Sequence, residues 1–438
     1  MIDEKLKESI LQLIKHEVVP AVGCTEPIAV ALAAARAAEA MDGDRRAVAE
    51  ITCRLSGNII KNAMGVGIPG TGMIGLPIAV ALGAQMGRSE LGLEVLSEVN
   101  QAQVEAGKQL IASNAITIEL AKDAPHVLYV DVTVRGADGH SGRAVICGAH
   151  TRFIRVEKDG APVNDPNVCS GSDTAADSDN GLDCLTLRTV WDFAMTTPVE
   201  ELRFILETRR LNKLAAERAL MDPYGHRVGR TLHSERQRNI MGDSTFSRIL
   251  SYTSAACDAR MGGAPVAVMS NSGSGNQGIA ATMPVVIYAE ETYADEEKTV
   301  RALILSHLTS IYIKQSLGRL SALCGCVVAT TGSSAGICYL MGGSYEQVAA
   351  TVKNMAANLT GMICDGAKPS CSLKLSSGVS TAVISAMVAM EGDSVSELEG
   401  IIDQDVDRTI RNLTTIGRDG MTQTDALILS IMTGKQHN

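Results

Sequence analysis

Aromatic side chains are scarce: one Trp, four Phe and eight Tyr in 438 residues. So few rings leave little on which to stack bases. The formal net charge of −10 also lacks the basic footprint of a nucleic-acid or anionic-membrane binder. Long apolar runs are missing as well. The N-terminus, MIDEKLKESILQLIKHE, is charged from its third residue, so no export signal is expected there. Two uncharged windows, 63–87 and 320–345, are diluted by Gly, Pro, Ser and Thr, and fall short of the roughly 20 strongly apolar residues of a membrane span. HExxH and a Walker loop are also absent, which removes two common catalytic signatures. The expectation is a cytoplasmic protein with a small-molecule partner, and with neither nucleic acid nor membrane.

What is present is an ordinary globular composition, 45% hydrophobic and 20% charged, with length for two or three folding units. With 41 Gly and alanine-rich windows, the core must be built from aliphatic and small side chains at close backbone approach. Eleven cysteines without an export signal read as reduced thiols, metal ligands or catalytic groups, not as a disulfide framework.

Residues 2–19 put Ile2, Leu6, Ile10, Leu13 and Ile14 on one helical face, and Pro20 ends that helix. The loop Ala21–Pro27 leads into an alanine-rich helix over 28–41. A strand over 47–55, a loop over 56–75 and helices over 76–87 and 91–112 follow. Three β-rich runs come next, 115–120, 127–134 and 143–147, the last continuing towards 153–157. Residues 163–183 are a polar loop. Helical spacing returns over 199–220, 243–260, 297–317, 346–363 and 396–413. The expected fold class is α+β: a discontinuous helical lobe (1–42 plus 199–438) with an inserted α/β lobe (43–198).

The thiols carry the first chemical signal. Cys364 and Cys371 are separated by a Gly/Pro-containing loop, and Cys324 lies forty residues earlier, room for a helical hairpin to bring it back. Three converging thiolates suit an iron–sulfur cluster or a thiolate metal site, with buried packing as the alternative. Cys326 stands beside Cys324 and is open to either role. Cys24 sits in Gly23-Cys24-Thr25-Glu26-Pro27 just before a helix, where the dipole favours a thiolate while Glu26 opposes it. A base or nucleophile and an inert loop cysteine both fit that position.

The second signal is Ser270-Asn271-Ser272-Gly273-Ser274-Gly275-Asn276-Gln277-Gly278, a donor-rich loop suited to cradle a carboxylate or phosphate at a helix start. Its GxGxxG spelling, and that of Gly65-Gly67-Gly70, is weak for a dinucleotide: Pro284 follows the first and Pro69 interrupts the second. Asn58, Lys61 and Asn62 precede one glycine loop and Arg260 the other, placing cations where a carboxylate clamp needs them. His150 and His307 are open to binding or to simple packing.

These motifs, together with Gly65–Gly75, Asp258–Gly263, Ser321–Cys324 and Gly361–Gly366 with Cys371, run in order from about residue 15 to the C-terminus. In that order they resemble the L-cysteine desulfidase family, itself similar to the iron–sulfur L-serine dehydratase alpha chain. The resemblance implies an oxygen-sensitive [4Fe–4S] enzyme that works without pyridoxal phosphate. It would convert L-cysteine to hydrogen sulfide, ammonia and pyruvate through 2-aminoacrylate. Cluster ligands then fall on Cys324, Cys364 and Cys371, leaving one iron open, and the catalytic base falls on Cys24. Substrate contacts are expected from Thr25, Glu26, Asn58, Lys61, Asn62 and Arg260, from the loop residues Asn271, Ser272, Gly273, Ser274, Gly275 and Asn276, and from His307. No motif absorbs Cys169, Cys184, Cys326 or Cys338. A homodimer is the assembly this reading admits. L-Serine dehydration is the alternative within the class. A non-catalytic iron–sulfur or zinc-binding protein is the alternative outside it, with a nicotinamide-dependent dehydrogenase a distant third.

Overall fold

A computed structural model describes residues 2–41, 47–164, 168, 185–318 and 321–435. Most of the polar loop assigned to 163–183, with Cys169 and Cys184, lies outside the described residues. The first amphipathic run folds as helix α1 (Glu4–Glu17), capped by Asp3 accepting from the Leu6 amide, with Ile10, Leu11, Leu13 and Ile14 buried. A short strand β1 (Pro20–Val22) and the Cys24 turn lead into helix α2 (Thr25–Ala40).

The α/β portion continues with β2 (Val48–Leu55), α3 (Gly57–Ala63), α4 (Leu76–Met86) and α5 (Gln101–Ala112). The helix expected over 91–112 is divided. A 3-10 segment covers Ser89–Glu94, and α5 starts afresh where Asn100 and Gln103 form a capping box. Strands β3 (Ile116–Leu120), β4 (Tyr129–Gly136), β5 (Ser141–Cys147), β6 (Phe153–Lys158) and β7 (Ala161–Pro162) complete a sheet of order β3-β2-β4-β5-β6-β7. The β2–β3 pair is parallel, bridged by the three helices between them, and the other pairs are antiparallel. Alternation sends Val130, Val132 and Val134 into the core, where Ile51, Cys53, Leu55, Ala144 and Ile146 join them.

The structure redraws one boundary. Residues 25–40, expected in the helical lobe, pack on the sheet: the α2 alanines share a core with β2, β4, β5 and α4. Composition alone gives alanine no preferred partner. Contact geometry does, because at Gly142 of β5 an added Cβ would lie 1.9 Å from the Ala37 carbonyl oxygen. Only glycine there lets α2 sit so close to the sheet.

The second core is helical. It comprises α6 (Leu187–Thr196), α7 (Val199–Leu202), α8 (Leu206–Met221), α9 (Val228–His233), α10 (Arg238–Met241), α11 (Thr245–Met261), α12 (Gly275–Glu291), α13 (Glu296–Leu317), α14 (Gly325–Leu340), α15 (Tyr345–Leu359), α16 (Cys371–Met390), α17 (Val406–Thr415) and α18 (Thr422–Thr433). The spacing expected over 396–413 is helical only at its end, from Val406. Buried hydroxyls on α13 and α14 are satisfied by carbonyls: Ser310 by Ser306, Thr331 by Val327, and Ser306 by Ala281 across to α12. Most of these hydroxyls are satisfied within the helices, so segments lined by Ser, Ala and Gly can pack tightly; Thr309 Oγ1 on α13 is a buried exception. Among the described residues one helix, α16, is long and apolar enough to cross a bilayer by length and composition, and half of its apolar window is buried inside the fold.

Candidate active site

Local pairing explains why distant motifs meet. Strand β1 pairs antiparallel with β8 (Ala267–Met269), Pro20 opposite Met269. The pairing continues beyond the strands: the Ser270 amide and hydroxyl both donate to the Val19 carbonyl (2.8 and 2.6 Å), and the Ser272 amide donates to the Glu17 carbonyl (3.0 Å). This fastens the 270–278 loop beside the Cys24 turn. The cysteine loops are joined in the same way. Leu323 bridges Ile363, the Cys324 amide donates to the Met362 carbonyl (2.9 Å), and the Cys364 amide donates to the Ala322 carbonyl (2.6 Å). The hairpin α14–α15 provides the return, and Cys371 opens α16.

These segments enclose a cavity of about 240 Å³ between the two cores. Its wall includes Cys24 and Glu26 from the start of α2, and Asn58, Lys61 and Asn62 from α3. Arg260 comes from the end of α11, and Ser272, Gly273, Ser274 and Asn276 from the loop. Cys324, Cys364 and Cys371 complete the set. Four expected residues are not in the wall. Thr25 turns its hydroxyl to Glu26 Oε2 (3.3 Å). Asn271 and His307 are fully buried behind the loop, where Asn271 Nδ2 donates to His307 Nδ1 (3.1 Å). Gly275 lies under Arg260, with no room for a Cβ, which would stand 2.3 Å from Arg260 Nε. His307 is thus a support of the loop and not a substrate contact.

The wall also holds residues outside the expected set: His126, His150, Gln277, Lys314, Ser321 and Cys326. Gln277 belonged to the donor-rich run, and Cys326 stood next to Cys324. For Lys314 the sequence held no signal, since a lysine near a helix end is ordinarily solvated.

The electrostatics revise two expectations. Cys24 is 3% exposed, and its Sγ donates to Glu26 Oε2 at 2.9 Å. Burial above all, then the Glu26 charge, push the thiol well above its ordinary value, while the Arg260 guanidinium pulls it down. The helix terminus alone does not make a resting thiolate. The cations are also already engaged: Lys61 Nζ pairs with Asp425 of α18, and Arg260 Nε donates to the Gly23 carbonyl (3.1 Å), bracing the Cys24 turn. Helix α12, with Ser274 as its N-cap, begins at the cavity wall and adds the positive end of its dipole there.

Cys324 is within hydrogen-bonding reach of both Cys326 and Cys364. The thiol of Cys364 is pushed well up by Cys324 and by burial, and that of Cys371 is raised chiefly by burial. A crowd of buried neutral thiols is a donor set that gains from losing its protons to a cationic iron centre, so the chemistry fits a thiolate-bound cluster. Among the described residues no three His, Cys, Asp or Glu side chains stand close enough to hold one metal ion. A cube spreads its ligand sulfurs over separate corners and does not require that convergence.

The chain is similar to known proteins along its whole length. The UPF0597 protein of Phocaeicola vulgatus is 60% identical over 437 residues, covering 100% of both chains. A UPF0597 protein of Bacteroides fragilis is 59% identical over 432 residues, 99% of each chain. That of Shewanella halifaxensis is 44% identical over 438 aligned residues, 97% of this chain and 98% of the relative. Residues 90–430, which carry the donor-rich loop and Cys324, Cys364 and Cys371, match the family described as serine dehydratase alpha chain. The chain belongs to the serine dehydratase alpha-chain family.

Proposed function

We propose that the protein is an iron–sulfur lyase that removes the β-substituent of a small L-amino acid, with L-cysteine as substrate and hydrogen sulfide, ammonia and pyruvate as products. One observation carries the reading: Cys24, the donor-rich loop and three cysteines from distant segments line a single cavity. A structural metal site would need neither Cys24 nor the loop. Cys324, Cys364 and Cys371 would hold the cluster. When bound, such a cluster supplies a Lewis-acidic iron that favours departure of sulfur or oxygen from Cβ.

The remaining work falls to the chain itself. Ser272, Ser274 and the amides opening α12 receive the substrate carboxylate, with Arg260 beside them. Held there, the carboxylate gains negative character as the Cα proton leaves, so the same dipoles steady the developing charge. Cys24 takes that proton. The 2-aminoacrylate is then released to tautomerise and hydrolyse. L-Serine dehydration is the second reading, favoured by the family to which the chain belongs.

Anaerobically purified protein is expected to contain iron and acid-labile sulfide and to release pyruvate faster from L-cysteine than from L-serine. The reverse order would give the second reading, and release from neither would end both. Cys24→Ala is expected to keep the iron content and visible spectrum while losing pyruvate release by at least about 100-fold. Normal turnover in that variant would remove the base assignment.

A further inference from the structure

A buried thiol is a poor base as it stands. Cys24 holds its proton in an apolar setting, and a Cα proton cannot be taken by a sulfur that already carries one. The geometry supplies an outlet. Glu26 Oε2 accepts the Cys24 thiol at 2.9 Å and also the Thr25 hydroxyl at 3.3 Å, so the carboxylate is oriented on the sulfur from within its own helix turn. The next acceptor, the Asn62 carbonyl oxygen, is 3.9 Å from Sγ and cannot take a proton.

We infer that Glu26 is the immediate proton acceptor of Cys24, so that the two side chains act as one acid–base pair. This rests on the reading of Cys24 as the base. In the first step the Sγ–H bond breaks and an Oε2–H bond forms. The pair keeps a single negative charge, now on sulfur, so no additional charge is buried. Thiolate character is favoured by Arg260 from α11 and by its position at the start of α2. The thiolate then takes the Cα proton, restoring Sγ–H. The Cα–H electron pair becomes the Cα=Cβ bond, and the leaving group departs with the Cβ–S pair as HS⁻. Glu26 gives its proton to that HS⁻, which leaves as H₂S, and the carboxylate is restored. Besides Arg260, the charged or titratable groups that share the cavity wall with the pair are Lys61 on α3, Lys314 on α13, His126 and His150 from the sheet loops, and the thiols of Cys324, Cys326, Cys364 and Cys371.

Two measurements on the cluster-bearing protein test the pair, with Glu26→Gln and the shorter acid Glu26→Asp compared at equal iron and sulfide content. The first is the pH profile of pyruvate release. Glu26→Gln is expected to lose at least about 100-fold in kcat at pH 7, with KM changed less than about threefold, and to recover activity as pH rises. Glu26→Asp is expected to regain part of the loss. The second reads the pair without turnover: alkylation of Cys24 by iodoacetamide, followed by peptide mass spectrometry from pH 5 to 8. The wild-type rate is expected to show a pH-independent floor, because the pair carries its own base. In Glu26→Gln the floor vanishes and the rate climbs about tenfold per pH unit. An unaltered kcat profile, or a defect confined to KM, would overturn the inference, as would an identical alkylation profile. If the wild type turned over neither amino acid, the functional reading would fail, and the alkylation profiles alone would still decide the pair.

Discussion

His307 sets the pH behaviour of the loop from behind. Thr282 Oγ1 donates to the Gly278 carbonyl (2.7 Å), so it must accept from His307 Nε2–H (3.0 Å), and Nδ1 is left to accept from Asn271. The ring is therefore neutral and of one tautomer. Asn271 in turn receives the Ser272 hydroxyl on its Oδ1 (2.9 Å), so one imidazole fixes the side chain that fixes the loop. Burial lowers the His307 pKa to about 3. A base with a depressed folded-state pKa contributes stability that is complete above its unfolded value and is lost as pH falls towards the folded one. Between pH 6.5 and 5 the wild type is expected to lose about 2 kcal/mol through this group alone. His307→Gln, which keeps an acceptor and a donor but cannot ionise, is expected to lose less over the same range. Urea unfolding of both proteins at the two pH values checks this, and parallel losses would refute it.

At the scale of elements, the start of α12 is the joint on which the site turns. Gly275 is its first residue, and the Arg260 side chain lies across it on the way to the Gly23 carbonyl. Gly275→Ala suits a helix start in propensity, and nothing in the backbone forbids it. The new methyl would meet Arg260 Nε, and the guanidinium that braces the Cys24 turn must move. The expected result is a melting temperature within a few degrees of wild type, with kcat/KM down by about 100-fold, the usual cost of a misplacement of about 1 Å. A variant of full activity would show that Arg260 does not position Cys24. Elements also mark what the sequence revealed. Strands with strict alternation, such as β4, were legible, and so was the Cys24 turn with its Pro at the helix start. Helices α14 and α16 were not, because Ser, Thr, Gly and Ala on every side erase the contrast between faces on which periodicity depends. The convergence of Cys324 with Cys364 was open to the sequence only as a reach argument, since one β-bridge between loops decides it. That His307 lies behind the loop and not in the cavity depends on which way a wholly buried helix is rotated, and an all-round apolar pattern does not say.

Over the whole molecule, the cavity is a seam, and the pair that closes it joins residues 364 positions apart. Lys61, 3% exposed, stands on α3 of the sheet side, and Asp425 on α18 at the far end of the chain. Near the same place Gly366 approaches the Lys61 carbonyl so closely that a Cβ would lie 1.9 Å from its oxygen. Helix α18 buries little else, with Ile428 its one buried side chain, so the ion pair and the contact of Leu429 with Gly57 hold it in place. Asp425→Asn leaves an ammonium buried without its counter-charge. Because Asp425 is itself partly exposed, the cost is expected at about 2 kcal/mol, below the roughly 3–5 kcal/mol of a fully buried pair. Replacing both partners, Lys61→Met with Asp425→Leu, removes charge and counter-charge together and is expected to recover most of that stability. It is not expected to recover turnover, because the cavity wall then lacks the Lys61 ammonium, leaving Lys314 as its lysine. Denaturation and pyruvate release measured on the two single variants and the double variant separate these roles. A double variant as active as wild type would mean that Lys61 serves only to fasten the C-terminal helix, whereas one as unstable as Asp425→Asn would mean that the pair is not what holds the seam.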